Sequence, residues 1–174
     1  VTNRSGNHFL ETGETATAWA ERVGIKAWHY FLFTWPINGD WYGPVRDHEN
    51  DVYWLRKNLW FTLQEHPHWT RPSKVQDRPY TDMTVPACRD YIVDLLHDSG
   101  VRDWYFDEMH VNNWRRQPPE QVSGMLEICQ RLKDKGHTMI GNSVWHMSDP
   151  HADDWEYPAI QILDGALTEY WAGY

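Results

Sequence analysis

The sequence predicts an α/β fold with a parallel sheet, arranged as a (β/α) barrel of TIM type. A helical segment, a glycine and a short apolar strand follow one another four times along the chain. Alternation of helices with short, continuously apolar strands is typical of βαβ units, whose parallel strands are buried. A doubly wound nucleotide-binding sheet is disfavoured, because no glycine-rich turn follows an early strand.

The first two units have recognisable boundaries. The first consists of a helix at 15–23 and a strand at 25–35, separated by Gly24. The second begins at Thr84, which we expect to be the N-cap of a helix with Pro86 in its first turn.

Gly100 ends this second helix, and a strand is predicted at 101–109. The third unit has a helix at 118–135, ended by Gly136, and a strand at 137–142. Both helices carry an apolar stripe at helical spacing, which predicts one buried face for each. In the second helix the stripe consists of Val85, Cys88, Ile92, Leu95 and Leu96.

A fourth, shorter unit has a turn at 158–163 and a strand at 166–171, and a fifth strand is expected at 59–63. A complete TIM barrel has eight strands in about 250 residues. This chain has 174 residues, opens without Met and ends five residues after Glu169. No linker or low-complexity segment divides it. We therefore expect one domain, 1–174, that forms an incomplete barrel, truncated at both ends or completed by another chain or a further segment.

The chain is acidic and rich in tryptophan. Its 16 Lys and Arg against 25 Asp and Glu give a net charge of −9, which argues against nucleic-acid and anionic-membrane partners. No apolar run approaches the roughly 20 residues of a membrane span, and no targeting segment is recognised. Twelve tryptophans require a core or a stacking surface. Those within predicted elements are expected in the core: Trp19, Trp28 and Trp104.

The two cysteines are predicted to be free and buried. Cys88 lies near the start of the second helix and Cys129 near the end of the third. If these helices run parallel, the two sulfurs lie at opposite ends and do not pair.

Chemistry is expected where the strands end, because parallel α/β folds build their sites at the carboxyl ends of the strands. Asp107 and Glu169 end two different strands. Cleavage of a glycosidic bond requires such a pair, one carboxyl to protonate the leaving oxygen and one to attack or stabilise the anomeric carbon. Glu108 is a further catalytic candidate, although strand alternation directs it away from Asp107 unless the strand has already ended. The structural alternative is that Asp107 caps a loop or pairs with a nearby arginine.

Other residues of the same rim are candidates for binding a sugar. Asn142 and His110 offer hydrogen bonds to hydroxyl groups, while Asn142 is equally suited to closing a turn. Aromatic residues at the strand ends can stack on a sugar ring; these are Trp35, Trp145, Tyr170 and Trp171.

Several short motifs resemble those of a known class of barrels. Asp-x-Thr-x-Pro at 82–86 enters a helix and leads to a strand that ends in Asp107-Glu108. The segments 140–143 and 164–171 also resemble segments of this class of barrels. Over about residues 80–171 the chain resembles glycoside-hydrolase-like TIM barrels, including alpha-galactosidase-like and polygalactosaminidase-like families.

This resemblance implies that Asp107, at the end of the fourth strand of such barrels, is a catalytic carboxylate and that Glu169 is the second acid. The chain is accordingly expected to cleave glycosidic bonds in an oligo- or polysaccharide. Asp107 would be the nucleophile or charge stabiliser and Glu169 the general acid/base. A carbohydrate is the expected partner, no cofactor or metal is expected, and the substrate class favours an extracellular or surface location.

Two other functions stay open at the level of sequence. A metal-dependent hydrolase could use His66 and His68, or the His/Asp cluster formed by His146, Asp149, His151, Asp153 and Asp154. With ten histidines, however, pairs of this kind arise by chance. A non-catalytic carbohydrate-binding or structural module would keep the barrel shape without turnover.

Overall fold

The computed structural model describes residues 2–3, 16–32, 52–72, 79–107, 119–142, 159 and 161–167. The helices in these ranges are α1 (Ala16–Arg22), α2 (Val52–Glu65), α3 (Pro86–Asp98) and α4 (Pro119–Asp134). The strands are β1 (Thr2–Asn3), β2 (Trp28–Phe31), β3 (Thr70–Arg71), β4 (Tyr80–Thr81), β5 (Asp103–Phe106), β6 (Thr138–Asn142) and β7 (Gly165–Leu167). The predicted α/β class is confirmed.

The main sheet contains five of these strands, all parallel, in the order β1-β2-β5-β6-β7. Strands β3 and β4 form a separate antiparallel pair. The order of the main sheet follows the order of the chain, so that each new strand is added at the same edge. Within the described residues this sheet is open and forms no closed barrel.

One face of the sheet is covered by α2, α3 and α4. Phe31, Trp104, Phe106 and Met139 project from this face into one apolar cluster with the three helices. The helix residues of the cluster recur at spacings of three and four, as an apolar stripe on each helix requires: they are Leu55, Leu59, Leu63, Cys88, Ile92, Val93, Leu96, Met125, Ile128, Cys129 and Leu132. Packing of this face of the sheet against the helical stripes forms the larger of the two described apolar clusters.

The other face of the sheet carries a smaller aromatic cluster. Tyr30, Leu32 and Tyr105 are buried there, because alternate residues of a strand point to opposite faces. Partly buried residues pack against them: Trp28, Tyr80 and Ile140. At the amino end of the same face, Lys26 forms a 2.7 Å ion pair with Asp103.

The predicted helix ends at glycine are confirmed. Gly100 and Gly136 adopt positive φ angles of 78° and 85°, which place them in the left-handed region that side-chain-bearing residues avoid. Each glycine therefore ends its helix and redirects the chain into the following strand. The strands predicted at 101–109 and 137–142 correspond to the shorter β5 and β6.

Two sequence predictions about these elements are wrong, and one strand was not predicted. The segment 59–63 is not a strand but part of α2, because Leu55, Leu59 and Leu63 follow one another at intervals of four and form a helical stripe. Trp19 on α1 is 40% exposed and not a core residue. Strand β1, which pairs with β2, has no counterpart in the sequence prediction, because two residues carry no periodic signal.

Two further features of the described residues are the state of the cysteines and the length of the helices. Cys88 and Cys129 are free and buried, as predicted, and burial raises the pKa of each thiol to about 12. None of the helices in the described ranges is long and apolar enough to span a membrane.

Candidate functional site

The candidate site lies at the carboxyl edge of the main sheet, where β5 and β6 end side by side. The register pairs Phe106 with Gly141, so the next residues, Asp107 and Asn142, face each other across the two strands. The backbone N–H of Asp107 donates to the carbonyl of Phe31 at 3.1 Å, which continues the hydrogen bonding between β2 and β5. This bond fixes the backbone of Asp107 against β2, on one side of β5.

Both oxygens of the Asp107 carboxyl group accept hydrogen bonds from neighbouring strands. The Tyr30 hydroxyl donates to Oδ2 at 2.5 Å, and the Asn142 Nδ2 donates to Oδ1 at 2.7 Å. The side chain of Asp107 is half-buried. The three residues come from β2, the end of β5 and β6, and they share one face because each follows the alternation of its strand.

Asn142 is enclosed more deeply than Asp107, with only 1% of its surface exposed. Its Nδ2 faces Asp107, which fixes the orientation of the carboxamide and leaves Oδ1 as an acceptor. No described residue donates a hydrogen bond to this oxygen. An unpaired buried acceptor costs about 1–3 kcal/mol, unless a bound water donates to it.

Aromatic rings lie beneath this polar group. The rings of Tyr30 and Tyr105 are 5.6 Å apart and tilted by 40°, a separation typical of a favourable aromatic pair. Both side chains are buried, which limits the movement of the Tyr30 hydroxyl. The hydroxyl that holds Asp107 is thus supported by its own ring packing.

Of the nine predicted site residues, Asp107 and Asn142 are described, and they are in direct contact. The other seven lie outside the described residues: Trp35, Glu108, His110, Trp145, Glu169, Tyr170 and Trp171. Tyr30, which the sequence analysis did not single out, is the residue that the structure adds. Its only sequence signal is its place in an apolar strand, where it points to the face opposite that of its neighbour Phe31.

The Asp-x-Thr-x-Pro motif builds the entry to α3. The N-cap of this helix is Val85, with Pro86 following it, and not Thr84 as predicted. Thr84 instead donates through its backbone N–H and its hydroxyl to Asp82, at 3.0 and 2.6 Å, so the carboxylate organises a turn ahead of the helix. Arg71 donates to the other oxygen of Asp82 at 2.6 Å.

Asp82 is 7% exposed and charged. Burial raises its pKa, but the hydrogen bonds from Arg71 and Thr84 outweigh that effect and hold the pKa below its ordinary value. The hydrogen-bond donors to this carboxylate lie in β3 and in the turn ahead of α3. The motif therefore has a structural explanation in the turn that precedes α3.

A second polar group is buried near the amino edge of the sheet. The Trp104 Nε1 donates to the His137 Nδ1 at 2.9 Å, and the His137 Nε2 lies 3.0 Å from the His97 Nδ1. An indole N–H is only a donor, so the His137 Nδ1 is the acceptor and its Nε2 carries the proton that reaches His97. Burial, followed by the nearby Arg102, lowers the pKa of His137 to about 4, which keeps this ring neutral.

The histidines considered as metal ligands form no site in the described part of the chain. His66 stacks on Trp69 with ring centres 4.3 Å apart, and His68 lies in the turn Pro67–Trp69. No group of three or more potential ligands occurs among the described residues. The predicted cluster from His146 to Asp154 lies outside them.

A comparison with known protein families and with curated proteins finds no match for this chain.

Proposed function

We propose that the chain forms part of a glycoside-hydrolase-like (β/α) barrel and cleaves glycosidic bonds in an oligo- or polysaccharide. The arrangement of the sheet supports the barrel. Its strands follow one another in chain order, and α2, α3 and α4 cover one face. In a doubly wound sheet the strand order reverses once and helices cover both faces. Among the described residues the strand order does not reverse and these three helices share one face, as in a (β/α) barrel.

The observation that carries the proposed activity is the carboxyl group of Asp107 at the carboxyl edge, with a donor on each oxygen. Sites of parallel α/β proteins form at this edge. A carboxylate held in one orientation suits attack on an anomeric carbon, or stabilisation of the positive charge that develops there. Asp107 takes this role in the proposal.

Glu169 is the proposed general acid/base. It follows the last residue of β7, Leu167, by two positions, and Leu167 pairs with Asn142. In the proposed reaction Glu169 gives its proton to the glycosidic oxygen as that bond breaks. Water then adds its oxygen to the anomeric carbon and returns a proton to Glu169.

The test is a digestion screen of oligo- and polysaccharides with the wild-type protein and three variants. Asp107→Asn and Glu169→Gln should each lower kcat by at least about 10²-fold on a substrate that the wild type cleaves. Asp94→Asn, on the exposed surface of α3, is the matched control and should keep full activity. Full activity of Asp107→Asn would contradict the proposal.

The same screen, repeated with EDTA and with a glycan-binding assay, distinguishes the proposed function from the two alternatives. Activity that EDTA abolishes and zinc or manganese restores would indicate a metal-dependent hydrolase. Glycan binding without turnover by the wild-type protein would indicate a carbohydrate-binding module.

A further inference from the structure

Tyr30 forms a short hydrogen bond with Asp107, a residue far away from it in the sequence. The hydroxyl donates to Oδ2 at 2.5 Å, and the two residues are 77 positions apart in the chain. Tyr30 pairs with Tyr105 in the register, so it lies diagonally below Asp107 on the same face of the sheet. A tyrosine side chain is long enough to span this diagonal.

The two donors to Asp107 act from opposite sides. Strand β5 lies between β2, which carries Tyr30, and β6, which carries Asn142. A carboxyl group with one tether can still turn about its last side-chain bond, because that torsion has a broad minimum. Tethers to different oxygens from the two flanking strands stop this rotation and define the plane of the carboxyl group.

We propose that Tyr30 is a positioning residue for Asp107 and that its hydroxyl, opposed by Asn142, sets the plane in which the carboxylate meets its substrate. This inference rests on the proposed function, in which Asp107 reacts with or stabilises the anomeric carbon. Tyr30 acts through Asp107 and does not itself react. Misalignment of a reacting group by about 1 Å can cost about 100-fold in rate.

The test is Tyr30→Phe, which keeps the ring on Tyr105 and removes the hydroxyl alone. On a glycan that the wild type cleaves, we expect kcat to fall by about 10- to 100-fold while KM changes by less than about threefold. The matched control is Tyr91→Phe on α3, whose hydroxyl accepts a 2.8 Å hydrogen bond from Thr62. That variant should lose no activity.

A second measurement follows the carboxyl group itself and needs no activity. With ¹³C-labelled aspartate, the carboxyl resonance of Asp107 should shift in Tyr30→Phe and stay unchanged in Tyr91→Phe. A crystal structure of Tyr30→Phe should show the carboxyl group rotated or in two orientations. If the wild type cleaves no glycan but these shifts occur, the proposed function fails and the positioning by Tyr30 stands.

Three results would overturn the inference. The first is a kcat within about threefold of wild type together with an unmoved Asp107 carboxyl resonance. The second is a loss confined to KM, which would make Tyr30 a substrate contact. The third applies even if Tyr30→Phe does not fold: in the wild-type protein, the absence of a protected, downfield hydroxyl proton for Tyr30 would exclude the hydrogen bond.

Discussion

Asp107 and Asn142 illustrate how far single residues could be interpreted before their neighbours were known. Their positions at the ends of two apolar strands placed both at one edge of the sheet, because strands in parallel units end at the same side. The contact between them depends on the β5–β6 register, which pairs Phe106 with Gly141. A register shift of one residue would turn one of the two side chains to the other face.

A negative charge in place of the enclosed Asn142 amide should destabilise the protein. Asn142→Asp would replace the Nδ2 donor with a carboxylate oxygen 2.7 Å from the Asp107 carboxyl group. We expect the free energy of unfolding at pH 7, measured by urea denaturation, to fall by about 2–4 kcal/mol, because two like charges would share a buried position. Asn58→Asp on α2 is the control, with a loss below about 1 kcal/mol. Equal stability of Asn142→Asp and wild type would be inconsistent with this contact.

His137 should make stability depend on pH. Burial, followed by the nearby Arg102, His97 and Lys135, lowers its pKa from 6.5 to about 4, against the opposing effect of Asp103. Between these two values the unfolded chain binds more protons than the folded one. The stabilising contribution is therefore complete above about pH 6.5 and is lost as the pH falls towards 4, by up to about 3 kcal/mol.

The measurement is urea denaturation at pH 7.5 and pH 5 for the wild type and for His137→Gln. Glutamine does not titrate, and its carbonyl can accept the hydrogen bond from Trp104. The loss of stability on acidification should be smaller in this variant. Part of the loss should persist, because burial also lowers the pKa of His29. Identical pH dependences would exclude His137 as the titrating group.

At the scale of elements, α4 packs closely against the loop after β4. Gln121 of α4 accepts a hydrogen bond from the backbone N–H of Met83 at 2.9 Å and donates to the carbonyl of Thr81 at 2.6 Å. One turn further along the helix, a Cβ atom at position 124 would lie 2.0 Å from the Met83 carbonyl oxygen. The helix can approach the loop this closely only because Gly124 has no side chain.

Gly124→Ala should therefore destabilise the protein, although alanine normally favours a helix over glycine by about 1 kcal/mol. We expect a loss of about 3 kcal/mol in urea denaturation, because α4 must move away from the loop. The matched change is Gly100→Ala, where no atom lies within 4 Å of the new Cβ and only the positive φ angle of 78° opposes it. That variant should lose about 1–2 kcal/mol. The reverse order of the two losses would contradict this packing.

At the scale of the whole molecule, the two thiols report on opening of the core. Cys88 and Cys129 belong to the cluster between the sheet and the helices, and both pKa values are raised to about 12 by burial. Neither thiol should react with Ellman's reagent at pH 8 in the native protein, and both should react at the urea concentration that unfolds it. Rapid reaction of one thiol without denaturant would show that its part of the core opens locally.

The sequence by itself determined the features that depend on neighbouring residues. Helical stripes identified α3 and α4, glycines identified their ends, and apolar runs identified β2, β5 and β6, because each signal is contained within a few positions. The same reasoning failed at 59–63, where a five-residue window did not reveal the stripe that includes Leu55. Only the tertiary structure decided the pairing of strands and the contacts of Asp107. Tyr30 and Asn142 are 77 and 35 positions away from it, and no local pattern encodes which residues a strand register brings together.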